Sequence, residues 1–224
     1  MTAGVRKGMV IALASVSPRR HTLIGLTGWS VRPRPAAIDE APAENESGAV
    51  LTRRLARAKA KAASAEDGEI VLAADTTVVD GGRLLGKPAD PVEARRMLTT
   101  LRGRTHRVVT TIAIRTPDDR LSDDTCESIV PMRAYSDAEI DSYIALGGPF
   151  DKAGGYGIQD GVFEPVDMSR FRECFANVMG LPLCHVVRSL RPVGVEPPAD
   201  VPAACMAHTG YACGIYPMIL DGSQ

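Results

Sequence analysis

Two long runs of apolar and β-branched residues, Glu69–Val79 and Thr105–Arg115, constrain this chain more than any other feature. Both read as strands, and each is flanked by turn or capping residues. Around them lie segments with clear helix starts. Ser17-Pro18 puts a capping residue before a proline at the first helical position, and the helix runs to about Gly28. Ser47 opens a helix in which Val50, Leu51, Leu55, Ala58 and Ala62 share one stripe. Asp90-Pro91-Val92-Glu93 caps a third helix, which Gly103 closes. Ser136-Asp-Ala-Glu139 is a capping box, and Gly147-Gly148 ends its helix. A last helix is predicted over Pro182 to Leu190. Further strands are predicted at Met9–Ala14, at Leu84-Leu85 after the Asp80-Gly81-Gly82 turn, and at Cys126–Ala134. Interleaved strands and helices predict an α/β fold with a mixed central β-sheet flanked by helices.

The organisation read from this pattern is a domain over residues 1–190 and a Pro-rich, Cys/His-containing extension over 191–224. Five of the 16 prolines fall in the extension, which reads as irregular and partly disordered. Twenty-six basic residues against 27 acidic ones, and 4% aromatic residues, argue against a nucleic-acid partner. No apolar run reaches the roughly 18 residues of a membrane helix, so no membrane partner is expected. Five cysteines, odd in number and mostly far apart, suit a reducing compartment and a cytoplasmic location. Residues 1–38 carry no acid. There Arg6-Lys7 followed by Gly8–Ser15 reads either as a short secretory core or as a buried strand entering a helix, and the helix start at Ser17-Pro18 favours the strand.

Several constellations bear on chemistry. Ser15, Ser17, Arg19 and Arg20 meet at a strand-to-helix turn. A helix N-terminus carries about half a positive charge, so two arginines in its first turn either reach solvent or share an anion with the free N–H groups. The Walker A spacing is absent. Asp75 interrupts Ile70–Val79, where a carboxylate is costly to bury unless paired or metal-bound; it reads as a general base or metal ligand, or as a residue at an exposed strand end. Asp39-Glu40 and Lys87 have ordinary solvent-facing readings taken singly, and Lys59 sits near the border of its helix's apolar stripe, where periodicity does not single it out from Arg54 or Lys61. Gly154-Gly155-Tyr156-Gly157-Ile158-Gln159 permits close backbone approach to a ligand. His106 and His185 read as structural. Cys205-x2-His208-x4-Cys213, with Cys184-His185 upstream, matches no complete zinc site.

Taken in order, these segments resemble the Maf nucleotide pyrophosphatases. The matching elements are Leu13-Ala-Ser-Val-Ser-Pro-Arg-Arg20, Asp39-Glu40, Leu55-Ala-Arg-Ala-Lys59-Ala60, Ala74-Asp75-Thr76 and Gly86-Lys87-Pro88. They continue with Gly103-Arg-Thr-His106, Asp151–Gln159 and Asn177-Val-Met-Gly-Leu-Pro182. The resemblance covers about residues 9–190. It implies an inosine-triphosphatase-like (Maf/Ham1) fold, often dimeric, in a cytoplasmic enzyme that cleaves nucleoside triphosphates between the α and β phosphates. It also implies a divalent metal cofactor (Mg2+, Mn2+ or Co2+). By position, Asp75 resembles the proton acceptor, and Arg19, Thr76 and Gln159 resemble positions tied to substrate choice. Ser15, Arg20, Glu40, Lys59 and Lys87 resemble the other polar residues of the pocket.

A triphosphate brings about four negative charges, which suits Arg20, Lys59, Lys87 and a metal held by Glu40 and Asp75. The Tyr-Gly-Ile-Gln run and His106 resemble the branch acting on dTTP and UTP, and the Gln159 amide offers the donors and acceptor that a pyrimidine edge needs. Two departures stand out: Asp160 replaces a usual glycine, and residues 161–176 look rearranged. An inactive nucleotide-binding regulator of cell division is the alternative.

Overall fold

The computed structural model describes residues 9–222, so Arg6 and Lys7 lie outside the described residues. Six strands form one sheet: β1 (Val10–Leu13), β2 (Ser30–Pro33), β3 (Ile70–Asp80), β4 (Arg83–Leu85), β5 (Thr105–Arg115) and β6 (Leu121–Pro131). The spatial order is β2-β1-β3-β5-β6, with β4 added to β3. β1 runs parallel to both β2 and β3, whereas β5 is antiparallel to β3 and to β6. The sheet is therefore mixed, as the alternation of elements predicts. The helices are α1 (Pro18–Gly25), α2 (Gly48–Ala62), α3 (Pro91–Leu101), α4 (Asp137–Ala145), α5 (Phe175–Met179), α6 (Leu183–Leu190), α7 (Val201–Thr209) and α8 (Tyr216–Asp221).

Strand alternation sorts the central residues into two layers. Ile11, Leu13, Ile70, Leu72 and Ala74 face a large core that also takes Leu23 and Ile24 of α1, Leu98 and Leu101 of α3, and Val186 and Leu190 of α6. Each such large side chain contributes about 1.5–3 kcal/mol through burial. Ala12, Ala14, Val71 and Ala73 face the other way, against Ala56 and Ala60 of α2. Alanine on both sides of that contact brings α2 close to the strands.

β3 is the only element that changes neighbours along its length among the described strands. Its ladder to β1 ends at Leu72, and its ladder to β4 begins at Val78. Over the residues between, β5 pairs one edge while the β1–α1 turn passes the other, and Ala14 donates its N–H to Leu72 O at 2.8 Å. This notch places Asp75 and Thr76.

Most predicted elements appear within a residue or two of the ends read from sequence. Three differ. α1 stops at Gly25; Leu26-Thr27 form a turn, and Gly28 follows it at φ +74°. β6 begins at Leu121, five residues before the predicted start, because it is the sheet's edge strand and its first half is polar, with Ser122 exposed and Asp123, Asp124 and Thr125 half-buried. The extension is helical, not irregular. Pro202 and Pro217 sit in the first turns of α7 and α8, where a missing N–H leaves no hydrogen bond unmade. Arg188 Nη1 donates to Ile219 O and Arg191 Nη1 to Leu220 O, both at 3.1 Å, and Val201 and Ile219 are buried. All five cysteines are free thiols. Among the described residues no three His, Cys, Asp or Glu side chains converge to hold a metal, so Cys205, His208 and Cys213 form no such cluster. Nor is any described helix long and apolar enough to cross a membrane.

Candidate active site

A cavity of about 610 Å³ opens at the notch in β3. Ser15, Arg19, Arg20, Glu40, Lys59, Asp75, Thr76, Lys87 and Gln159 all line it, although they come from six separate stretches of chain. The alternation of β3 explains the internal arrangement. Asp75 shares the Ala73 face and points toward α2; Thr76 shares the Ala74 face and points toward α1 and α5.

On the α2 side, Lys59 rises from the sheet-facing stripe of its helix and is nearly buried. Its Nζ lies 2.7 Å from Asp75 Oδ1 and 2.7 Å from Glu40 Oε1. This separates it from Arg54, which pairs with Glu46, and from Lys61, which is exposed. Burial pushes the Asp75 carboxyl above the ordinary aspartate value, against the pull of Lys59 and Arg20. Glu40 behaves oppositely. Burial would raise it, but the Lys59 hydrogen bond and charge, with Lys87 and Arg20 behind them, hold it below its usual value. The exposed reading of Asp75 is thereby replaced by a buried ion pair with Lys59.

On the other side, Arg20 is held by uncharged partners. Its Nε donates to Gly180 O at 2.8 Å and its Nη2 to Thr76 Oγ1 at 3.0 Å. Thr76 Oγ1 in turn meets Thr110 Oγ1 at 2.9 Å, and Thr110 donates to Asn177 O at 3.2 Å. Gly180 caps α5 at φ +105°, and a Cβ there would sit 3.4 Å from Thr76 Oγ1. Arg19 pairs with the Asp151 carboxylate and donates to Asp151 O at 3.0 Å. Neither arginine simply extends into solvent. Ser15 Oγ accepts from Ser17 N at 3.1 Å, closing the turn, and His21 Nε2 meets Ser15 O at 2.9 Å.

Gln159 and Lys87 are exposed at the cavity rim. Behind that rim His106 Nε2 meets the Tyr156 hydroxyl at 2.6 Å, and burial lowers the imidazole to about 4. Asp160, the departure from the glycine expected there, accepts from the Tyr143 hydroxyl and lies 3.7 Å from Lys152 Nζ.

Glu40 and Asp75 present hard carboxylate oxygens to one point in the cavity, the donor type and number with which Mg2+ is commonly held alongside substrate phosphates. These residues fit a divalent metal. Residue-level reading of the sequence singled out neither Asp151, which fixes Arg19, nor the Thr110–Asn177–Gly180 support behind Arg20. The available signal was the Asn177-Val-Met-Gly-Leu-Pro182 run, a short helix stopped by glycine and proline.

A family model described as Maf-like protein matches residues 10–193. A protein of Thermomicrobium roseum named dTTP/UTP pyrophosphatase is 45% identical, covering 88% of this chain and 92% of the relative. One of the same name from Anaeromyxobacter dehalogenans is 42% identical, covering 86% of this chain and 98% of the relative. Among solved structures, the Staphylococcus aureus Ham1 protein aligns with a TM-score of 0.40 at 15% identity, covering 56% of this chain and 72% of that one. From the span of the family match and the identity to these relatives, the chain belongs to the Maf family.

Proposed function

We propose that this chain is a nucleoside triphosphate pyrophosphatase that cleaves dTTP and UTP between the α and β phosphates, giving a nucleoside monophosphate and pyrophosphate. The observation that carries the reading is the meeting of Arg20, Lys59 and Lys87 with Glu40 and Asp75 in one cavity. The volume lies in the range of small-molecule sites, and the cations match a polyphosphate. The names of the relatives supply the nucleotide class.

Arg20, pre-set by Gly180 and Thr76, orients the phosphate chain. Lys87 adds positive charge at the rim, where the pyrophosphate leaves. Ser15 and the N–H groups of the turn approach a phosphate oxygen at the start of α1. Asp75 accepts the proton of the attacking water, and its raised pKa makes it a stronger base than an exposed aspartate. Glu40 and Asp75 would hold the divalent cation, Mg2+, Mn2+ or Co2+, which when bound neutralises phosphate charge and acidifies water. Gln159, with Arg19 and Thr76, discriminates the base; the Gln159 amide complements the N–H and C=O of a pyrimidine edge. In this reading the nucleotide domain is residues 1–190, the extension 191–224 is an appended layer, and the protein works in the cytoplasm as a homodimer.

The test is a panel of nucleoside triphosphates, assayed with each metal for monophosphate and pyrophosphate. Turnover of dTTP and UTP to these two products supports the reading. Orthophosphate as the only inorganic product, or tight nucleotide binding without turnover, overturns it; the second result would identify a regulator.

A further inference from the structure

Lys59 occupies the place between the two carboxylates that a divalent cation would take. Its Nζ is 2.7 Å from an oxygen of each, and the side chain is 10% exposed. A metal drawing on those oxygens cannot share the position with an ammonium, because the two positive charges repel at contact distance. We infer that Lys59 is a placeholder cation: it neutralises the Glu40–Asp75 pair, as its two ion pairs show, and yields to a divalent ion only when a polyphosphate offers its ammonium another anionic partner. This inference rests on the metal reading of the preceding subsection.

Three features carry it. Lysine is a point charge on a flexible four-carbon stem, so it can exchange one anionic partner for another without a fixed geometry. Arg20, the other inner cation, is tied at Nε and Nη2 to Gly180 and Thr76 and has no such freedom. Glu40 sits on a loop with its side chain 58% exposed, whereas Asp75 is fixed in a central strand, so the pair opens at one end. The consequence is an order of binding. Metal enters with the nucleotide and binds the nucleotide-free protein weakly.

The experiment is a Mn2+ titration of the full chain without nucleotide, followed by the electron paramagnetic resonance signal of free Mn2+, well above the carboxylate range of pH. Lys59→Met is expected to bind Mn2+ roughly tenfold or more tightly than the unaltered protein. Lys59→Gln, which retains polarity, should show the same direction and covers the case in which the methionine variant misfolds. Lys87→Met removes a cation from the same cavity that is not seated between the carboxylates, and its gain should be much smaller. Unchanged affinity in both Lys59 variants overturns the placeholder role, as does an equal gain in Lys87→Met. Pyrophosphate release by the unaltered protein, with and without a chelator, separates the two readings. If release needs the divalent ion but Mn2+ affinity ignores Lys59, the placeholder alone falls. If release survives the chelator, the metal reading falls and takes the placeholder with it.

Discussion

The two sides of β3 at its notch are secured by different forces. On the Thr76 side, hydroxyl and carbonyl groups grip Arg20 through a relay that ends at Asn177. On the Asp75 side, two carboxylates share one ammonium, and one of them is mostly exposed. Hydrogen bonds to uncharged acceptors are short-ranged and directional, so they fix a guanidinium in place. A shared charge is strong but exchangeable. In the proposed reading, the contrast gives substrate orientation to one face and the reacting groups to the other.

The strongest challenge to that division is Asp75→Asn. It keeps the shape of the side chain and removes the base, so pyrophosphate release should fall about a thousandfold or more while circular dichroism stays unchanged. A variant with normal turnover would move the chemistry off this face. Next in size is a pH effect on the neutral side. His106 is buried against Tyr156, and its pKa drops from 6.5 to about 4; burial lowers it most, Asp80 opposes the shift and Arg104 adds to it. The unfolded chain therefore binds the extra proton between these values, and stability falls as pH drops from 6.5 toward 4, by up to roughly 3 kcal/mol. Denaturant titrations across that range should show the slope, and His106→Asn should flatten it.

Arg20→Lys sharpens the comparison further. The charge survives but the fork to Gly180 and Thr76 does not, so kcat/KM should fall about ten- to a hundredfold, through both binding and orientation. An unchanged value would mean that charge alone serves on this side as well. The smallest effect belongs to Thr76→Val. It deprives Arg20 Nη2 and Thr110 of a partner, which should cost about 1 kcal/mol in denaturant stability and a few-fold in kcat/KM.

Local chemistry wrote much of the fold plainly into the sequence. Ser136 and Glu139 form the capping box their spacing predicts, and Asp90 and Ser47 accept from the third residues of their helices. β5 keeps the ends read from its β-branched pattern. β6 is less legible because an edge strand carries Asp123 and Asp124 without the alternation that marks a buried one. The extension misled through its prolines, which break a helix interior but suit a first turn. In the site, the residue types were legible and their partners were not. The stripe expected for α2 includes Val50, Ala58 and Ala62, whereas the buried face is Leu51, Thr52, Leu55, Ala56, Lys59 and Ala60; this rotation of the face moves Lys59 from the border to the inside and leaves Lys61 exposed. Asp151 meets Arg19 across 132 residues of chain, and no pattern of period 2 or 3.6 reaches that far.

Consecutive residues of a strand ordinarily serve different layers, and a molecule lying on a sheet meets only every second one. The break in pairing beside β3 suspends that rule for one short stretch, so a bound molecule can straddle the sheet's plane and touch both 75 and 76. Its position is then governed by the thickness of two packings at once. The slim alanine seam under α2 becomes a ruler for chemistry: a larger side chain at Ala56 or Ala60 would leave the core filled, yet lift Lys59 away from its partner.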